Sequence, residues 1–225
     1  MKRKRVVILG AGGMAREVAW TLNSINQSGM QFDLLGYIVS DLSQLGDRDS
    51  REKVLGDFSW LEQHIHSVDA LVLGVGNPSV RMKLATELTA SFKDAEWPII
   101  VHPTAIIDRD SAKLGEGCFI GAGVVATVNI RVEPFALVNF GATLGHEAHL
   151  GRYSVVNPGA NISGGVQIGE GVLVGTGAQI LQYLQIGSGA VVGAGAVVTN
   201  SVTRETVVVG VPARSRTVRG MAAGK

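Results

Sequence analysis

From residue 102 to residue 203 apolar residues recur with a period of six, in one frame without insertion or deletion. The blocks Leu114–Phe119, Ile120–Val125, Ile168–Leu173, Val174–Gln179, Ile186–Val191 and Val192–Val197 share an aliphatic first residue, a glycine second and a small or apolar fifth. Such a period belongs to a solenoid in which three short strands and tight turns make a triangular coil of about eighteen residues. Coils stacked about 4.8 Å apart pair each strand with the strands above and below. First-position Ile, Val and Leu then fill the prism, and fifth positions from Cys118 to Val202 point inward as well, where bulky side chains do not fit. Glycines are expected at corners whose backbone angles β-carbons resist. A Gly/Val-rich sandwich or barrel would not hold one frame for about a hundred residues.

The pattern changes near Pro98, so two domains are expected, 1–98 and 99–225. Arg5–Leu9 reads as a buried strand, Gly10–Ala15 as a turn, and Arg16–Asn23 as a helix with Val18, Ala19 and Leu22 on its apolar side. Strands are predicted at Leu34–Val39, ending on Ser40-Asp41, and at Ala70–Val75, running into Gly76-Asn77-Pro78. A helix over Val80–Leu88 and a last short strand, Ile99–Val101, lead to His102-Pro103 and the first coil. The alternation describes an α/β, Rossmann-like half domain with a ligand crevice at the C-terminal ends of its strands.

Gly10-x-Gly12-x-x-Ala15 fits the dinucleotide fingerprint, in which glycines let the backbone approach a phosphate at a helix N-terminus. A full dinucleotide fold needs two halves and about 150 residues, more than precede the coils. The half-size version suits one nucleotide or a nucleotide-linked sugar, with Gly12 and Gly13 at the phosphate. Asp41 could accept hydrogen bonds from a ribose, a base or a sugar amine, or be an ordinary loop carboxylate. Asn77 could serve the same crevice or cap the following helix.

Composition narrows the class. The formal net charge is +1 and no long basic run follows Met1–Arg5, which argues against a nucleic-acid partner. The apolar stretch Val6–Leu9 is far too short for a signal or membrane segment. Cys118, the single cysteine, falls at an inward position and reads as a small buried hydrophobe in a reducing, cytoplasmic setting.

Charged and ring-bearing residues are scarce on the coils, which singles out Asn139–His149. In the frame of six, His146 is third and Glu147 fourth, so both sit at a corner and face outward, whereas the sixth-position His149 belongs to a flat side. An outward His beside a carboxylate can act as a general base, the anion orienting one ring nitrogen and stabilising the imidazolium; a lone exposed corner His is the plainer alternative. One coil further on, about 5 Å along the axis, lies Gly164. Its unobstructed N–H could stabilise the oxyanion of acyl transfer, or it could be a corner glycine only.

The hexads resemble the left-handed parallel β-helix of hexapeptide-repeat acyltransferases. The turn Gly10–Gly13 with Arg16-Glu17-Val18, Gly76-Asn77, His102-Pro103-Thr104-Ala105, Asn139 ahead of His146-Glu147, and Gly210-Val-Pro-Ala-Arg214 are together similar to bacterial nucleotide-amino-sugar N-acetyltransferases and sialic acid O-acetyltransferases. That resemblance covers nearly the whole chain. It implies a homotrimer with sites between adjacent β-helices, acetyl-CoA along the coils, no metal, and a nucleotide-linked amino sugar or sialic-acid-like sugar near the first domain. It further implies His146 as base, Glu147 as its orienting partner, Asn139 as a substrate-site polar group and Gly164 as donor to the thioester carbonyl. Thr176 and Ala194 are expected to line the pantetheine channel, in or near the outward column of Gly164.

Three positions depart from the family pattern. Gly13-Met14-Ala15 stands where many relatives carry Gly-His-Gly, Val155 stands where a second histidine is usual, and Gly145 precedes the base. Two other functions fit the same fold: a zinc hydratase, which needs three histidine ligands, and a sugar-nucleotide-binding protein without turnover. Metal analysis and an acetyl-CoA thiol-release assay separate them.

Overall fold

The computed structural model describes residues 3–29 and 32–216. The first domain holds a four-stranded parallel sheet in the order β3-β2-β1-β4, with β1 at Lys4–Leu9, β2 at Phe32–Ile38, β3 at Val54–Gly56 and β4 at Ala70–Leu73. Helix α1 spans Gly13–Gln27, α2 Phe58–His64 and α3 Pro78–Ser91. Residues Val6 to Leu9 of β1 are fully buried because the sheet is covered on both faces, and parallel strands so covered are apolar without alternation. Ala15, Val18, Leu22 and Ile25 form the buried stripe of α1.

Between β2 and β4 the chain makes β3 and α2, neither of which the hydrophobic pattern predicted. Both are too short for periodicity to register: β3 has three residues and α2 seven. Asp57 starts α2 by accepting from the amides of Ser59 and Trp60, the signal that the sequence did offer. The short strand expected ahead of His102 is present. Ile100–Val101 pairs with Phe119–Ile120, so it opens the coils.

The rest is a left-handed parallel β-helix of short strands in three sheets, most with two residues and paired with the strand eighteen residues on, as in Leu137 with Val155 and Thr143 with Asn161, and it ends on an antiparallel pair of Val207–Val209 with Arg214–Ser215. First and fifth positions meet inside as one continuous core. Glycines serve two separate needs. At fourth positions such as Gly165 the backbone is left-handed, with φ +67°. At second positions the next coil comes too close: a β-carbon on Gly145 would lie 2.6 Å from the Gly164 nitrogen.

The period breaks earlier than the sequence frame suggests. Val202 bridges to Ile186 and Val208 pairs with Val192, both sixteen residues apart. Val202 therefore takes a first-position place, not a fifth, and the last turn is two residues short. An apolar residue is needed opposite Ile186, and the strict frame would have put Arg204 there.

The first domain sits on one side of the prism. Phe119, Leu137 and Val155 face outward there and share a core with Val18, Leu22 and Ile25 of α1. At one edge Trp20 stacks on His102 at 4.8 Å and meets Phe140 edge-on at 5.8 Å. At the other, Phe135 and Tyr153 stack at 5.8 Å, with Trp97 against Phe135. Arg81, fully buried on α3, gives its Nε and Nη2 to the Phe135 carbonyl at 3.0 and 2.9 Å, and its Nη1 to the Val75 carbonyl at 2.7 Å. Burial pulls this guanidinium down to about 10. Phe135 and Tyr153 hold φ near +60°, a strain of about 1 kcal/mol or more each that their packing against the first domain offsets.

Candidate active site

His146 lies in the turn between strands Thr143–Leu144 and His149–Leu150, which belong to the two sheets turned away from the first domain. Its side chain and that of Glu147 are about half exposed, at 49% and 59%. Glu147 takes the left-handed fourth position, φ 62°, and brings Oε2 to 3.6 Å from His146 Nδ1. That is an ion-pair distance rather than a hydrogen bond.

Gly164 is directly below, as the coil spacing requires. The Gly165 amide donates to the His146 carbonyl at 2.7 Å, and the imidazole lies against the Gly164 α-carbon, where a β-carbon would come within 2.2 Å of Nε2. Gly165 and Gly145 send their amides to coil carbonyls, whereas among the described residues the Gly164 amide has no such bond. A base and an available N–H thus share one corner, the arrangement that acyl transfer requires. His149 is elsewhere: Nε2 lies 3.1 Å from Glu133 and Nδ1 3.2 Å from Gln167 on a flat side.

Tyr183 completes this corner and was not among the expected site residues. Its ring covers Gly165 and stands edge-on to His146, centroids 6.3 Å apart. The sequence signal was present: a large aromatic at the fourth position, where these coils more often place glycine.

Thr176 and Ala194 do not belong to the column of Gly164. The Gly177 amide bonds the Pro158 carbonyl and the Gly195 amide bonds that of Thr176, so both residues line the corner that runs through Phe140 and Pro158. Corners repeat every eighteen residues, and Thr176 is only twelve beyond Gly164. Asn139 is also at that other corner. It is 8% exposed, and its Oδ1 accepts from the Phe140 amide at 2.9 Å.

The first-domain crevice encloses about 480 Å³ between Gly10–Met14, Val39–Asp41 and Gly74–Asn77. Gly12 begins α1 in extended conformation without a side-chain cap, so the first amides of the helix are open to an anion. The start of α3 differs, because Asn77 Oδ1 accepts from Ser79 and Val80 at 2.9 and 3.2 Å. Asn77 is the cap, leaving its amide nitrogen for a ligand. Asp41 is similarly committed: it accepts from the Ser43 amide and hydroxyl and from Gln44. These bonds hold its carboxyl below the usual range and limit what it can offer a ribose. Asp49, which the sequence did not single out, lines the same crevice.

Met14 and Val155, at the two positions where histidine is usual, fall in one apolar cluster. Val155 is fully buried there. The crevice opens on the side of the prism that carries the first domain, and the His146 corner lies between the other two sides. Within one chain the two halves of the expected site are apart.

Residues 5–88 match the PglD N-terminal domain, and residues 165–200 match the bacterial transferase hexapeptide, six repeats. Among solved structures, PerB from Caulobacter crescentus, in complex with CoA and GDP-perosamine, is 29% identical with a TM-score of 0.83, covering 94% of this chain and 97% of that one. The acetyltransferase domain of PglB from Neisseria gonorrhoeae, with acetyl coenzyme A, is 28% identical at TM-score 0.81, covering 96% and 100%. WeeI from Acinetobacter baumannii is 28% identical at 0.79, covering 95% and 100%. Curated protein sequences give no match.

Proposed function

We propose that this chain, a hexapeptide-repeat protein of the bacterial nucleotide-amino-sugar acetyltransferase family, moves the acetyl group of acetyl-CoA to an amine on a nucleotide-linked sugar. The observation that carries the reading is the His146 imidazole lying over Gly164 on adjacent rungs. The base takes the amine proton as nitrogen attacks the thioester carbon, and the Gly164 N–H stabilises the oxygen that becomes negative. Collapse of that intermediate expels the CoA thiolate, which the imidazolium can protonate. A nucleotide-linked amino sugar is favoured over a sialic-acid-like acceptor because α1 offers open amides for a phosphate, and because similar structures, PerB and a perosamine N-acetyltransferase of Caulobacter crescentus, are seen with GDP-perosamine.

The acceptor would lie with its phosphates on Gly12 and Gly13 and its nucleotide beside Asn77 and Asp41. Since the crevice and His146 are on different sides of one prism, the site is completed between copies, in keeping with a cyclic homotrimer. In that assembly Asn139, Thr176 and Ala194 would approach the donor of a neighbouring copy. The reaction is assigned to the cytoplasm, where activated sugars and acetyl-CoA meet; among the described residues no helix is long and apolar enough to cross a membrane.

The test follows thiol release from acetyl-CoA over a panel of UDP-, GDP-, dTDP- and CMP-linked amino sugars, with product mass to distinguish amide from ester. Turnover that requires an amine and His146 supports the reading. No turnover with any of them, or an ester product, overturns it.

A further inference from the structure

Tyr183 is costly where it stands. It holds φ +60° and is 64% exposed, and it belongs to none of the three core clusters. Phe135 and Tyr153 take the same strained conformation but are buried against the first domain. At fourth positions glycine adopts it freely, as Gly177 and Gly195 do on the neighbouring corner. Within one chain no burial offsets this strain, so what the ring touches there matters.

Its surroundings show what it touches. The Gly164 and Gly165 pair presents bare backbone to two rings that arrive from opposite directions along the axis. His146 comes from the coil before and lies on Gly164, while Tyr183 comes from the coil after and lies on Gly165, its own amide bonded to the Gly164 carbonyl at 2.9 Å. The rings meet at 61°, centroids 6.3 Å apart, an edge-to-face contact. Glu147, at 3.6 Å, is too far to fix the imidazole by a hydrogen bond, and within one chain the outer side is open. Tyr183 meets the imidazole edge-on from the coil after Gly164, and among the described residues it is the ring in contact with His146.

We infer that Tyr183 is a positioning residue for the acetyl transfer, its ring holding the His146 imidazole over the Gly164 N–H. The inference rests on the proposed role of His146 as base. The ring supplies the restraint and the hydroxyl is dispensable.

Two substitutions separate this from a structural role. Tyr183→Gly accepts the same backbone angle and should fold at least as stably as wild type, while kcat with acetyl-CoA falls about tenfold or more, as expected when a base loses its alignment. The acid limb of the kcat/KM profile should shift as well. Tyr183→Phe should stay within about twofold of wild type in kcat and keep the limb in place, because the edge-to-face ring is retained. Wild-type kcat with an unmoved limb in Tyr183→Gly overturns the inference. So does Tyr183→Phe falling as far as Tyr183→Gly, since the hydroxyl would then be the acting group. The ring-proton resonances of His146, assigned from His146→Ala, give a readout free of turnover and should move in Tyr183→Gly but little in Tyr183→Phe. If they move while His146→Ala remains active, the contact stands and the assignment of the base fails.

Discussion

The imidazole of His146 occupies the place that a side chain on Gly164 would need, with Nε2 only 2.2 Å from that missing β-carbon. The two residues are neighbours because each coil is eighteen residues long, and Gly164 is glycine because His146 leans on it. Gly164→Ala should therefore displace the imidazole instead of breaking the coil. Its φ is outside the left-handed region, so the backbone tolerates alanine. A fall in kcat of about a hundredfold with unchanged circular dichroism is expected, and near wild-type kcat would contradict the contact.

Removal of the base itself should cost about 10² to 10⁴ in rate. His146→Ala is expected to lose turnover while acetyl-CoA affinity, read by calorimetry, is largely kept. His149→Ala should change kcat little, because that ring is tied to Glu133 and Gln167 on a flat side.

A site shared between copies can be tested by mixing. Gly13→Asp puts a carboxylate among the open amides of α1, where it repels a phosphate but suits a helix start. Alone, it and His146→Ala should both be inactive. Trimers reassembled from equal amounts should recover about a quarter of wild-type activity, since one site in four joins an intact crevice to an intact His146. No recovery from verified mixed trimers would place the whole site in one chain.

Arg81 binds the domains through two hydrogen bonds to the Phe135 carbonyl and makes a third to Val75 of its own domain. Arg81→Leu removes the donors and leaves the buried Phe135 carbonyl unsatisfied, at about 1–3 kcal/mol. A lower melting temperature, with the first domain melting ahead of the coils in calorimetry, is the expected result. An unchanged single transition would show that the apolar interface suffices.

His102 lies buried under Trp20, with Nδ1 accepting from the Thr104 amide at 3.2 Å and Nε2 without a partner among the described residues. Burial lowers its pKa below the ordinary 6.5. The unfolded chain therefore takes up a proton that the folded chain resists, so stability is full above about 6.5 and is lost as pH falls from there toward the folded value. His102→Asn keeps an acceptor for Thr104 and cannot titrate. Melting temperatures between pH 7.5 and 5.0 should fall less steeply in this variant than in wild type.

The solenoid was legible because its information is periodic. An inward Ile or Ala every few residues, summed over many coils, leaves one frame, and that frame alone put Gly164 under His146. The glycine turn ahead of α1 was legible for a related reason, since glycine spacing acts over a few residues, although the helix begins at Gly13 and not at the expected Arg16. Short elements held by distant partners were not: β3 has three residues and exists because β2 lies beside it. The shortened last turn depends on Val202 meeting Ile186, a choice invisible to a fixed frame. Tyr183 illustrates the limit most directly. Its sequence position marks it only as a large residue where glycine is usual, and its meaning appears when two coils bring its ring to the far side of the glycines that carry His146. The sequence by itself determined what repeats along the axis, because hydrophobic burial reads side chains one period at a time. Only the tertiary structure decided what meets across the axis and between domains, where the partner of Arg81, the burial of His102 and the separation of crevice from base depend on residues far apart in the chain.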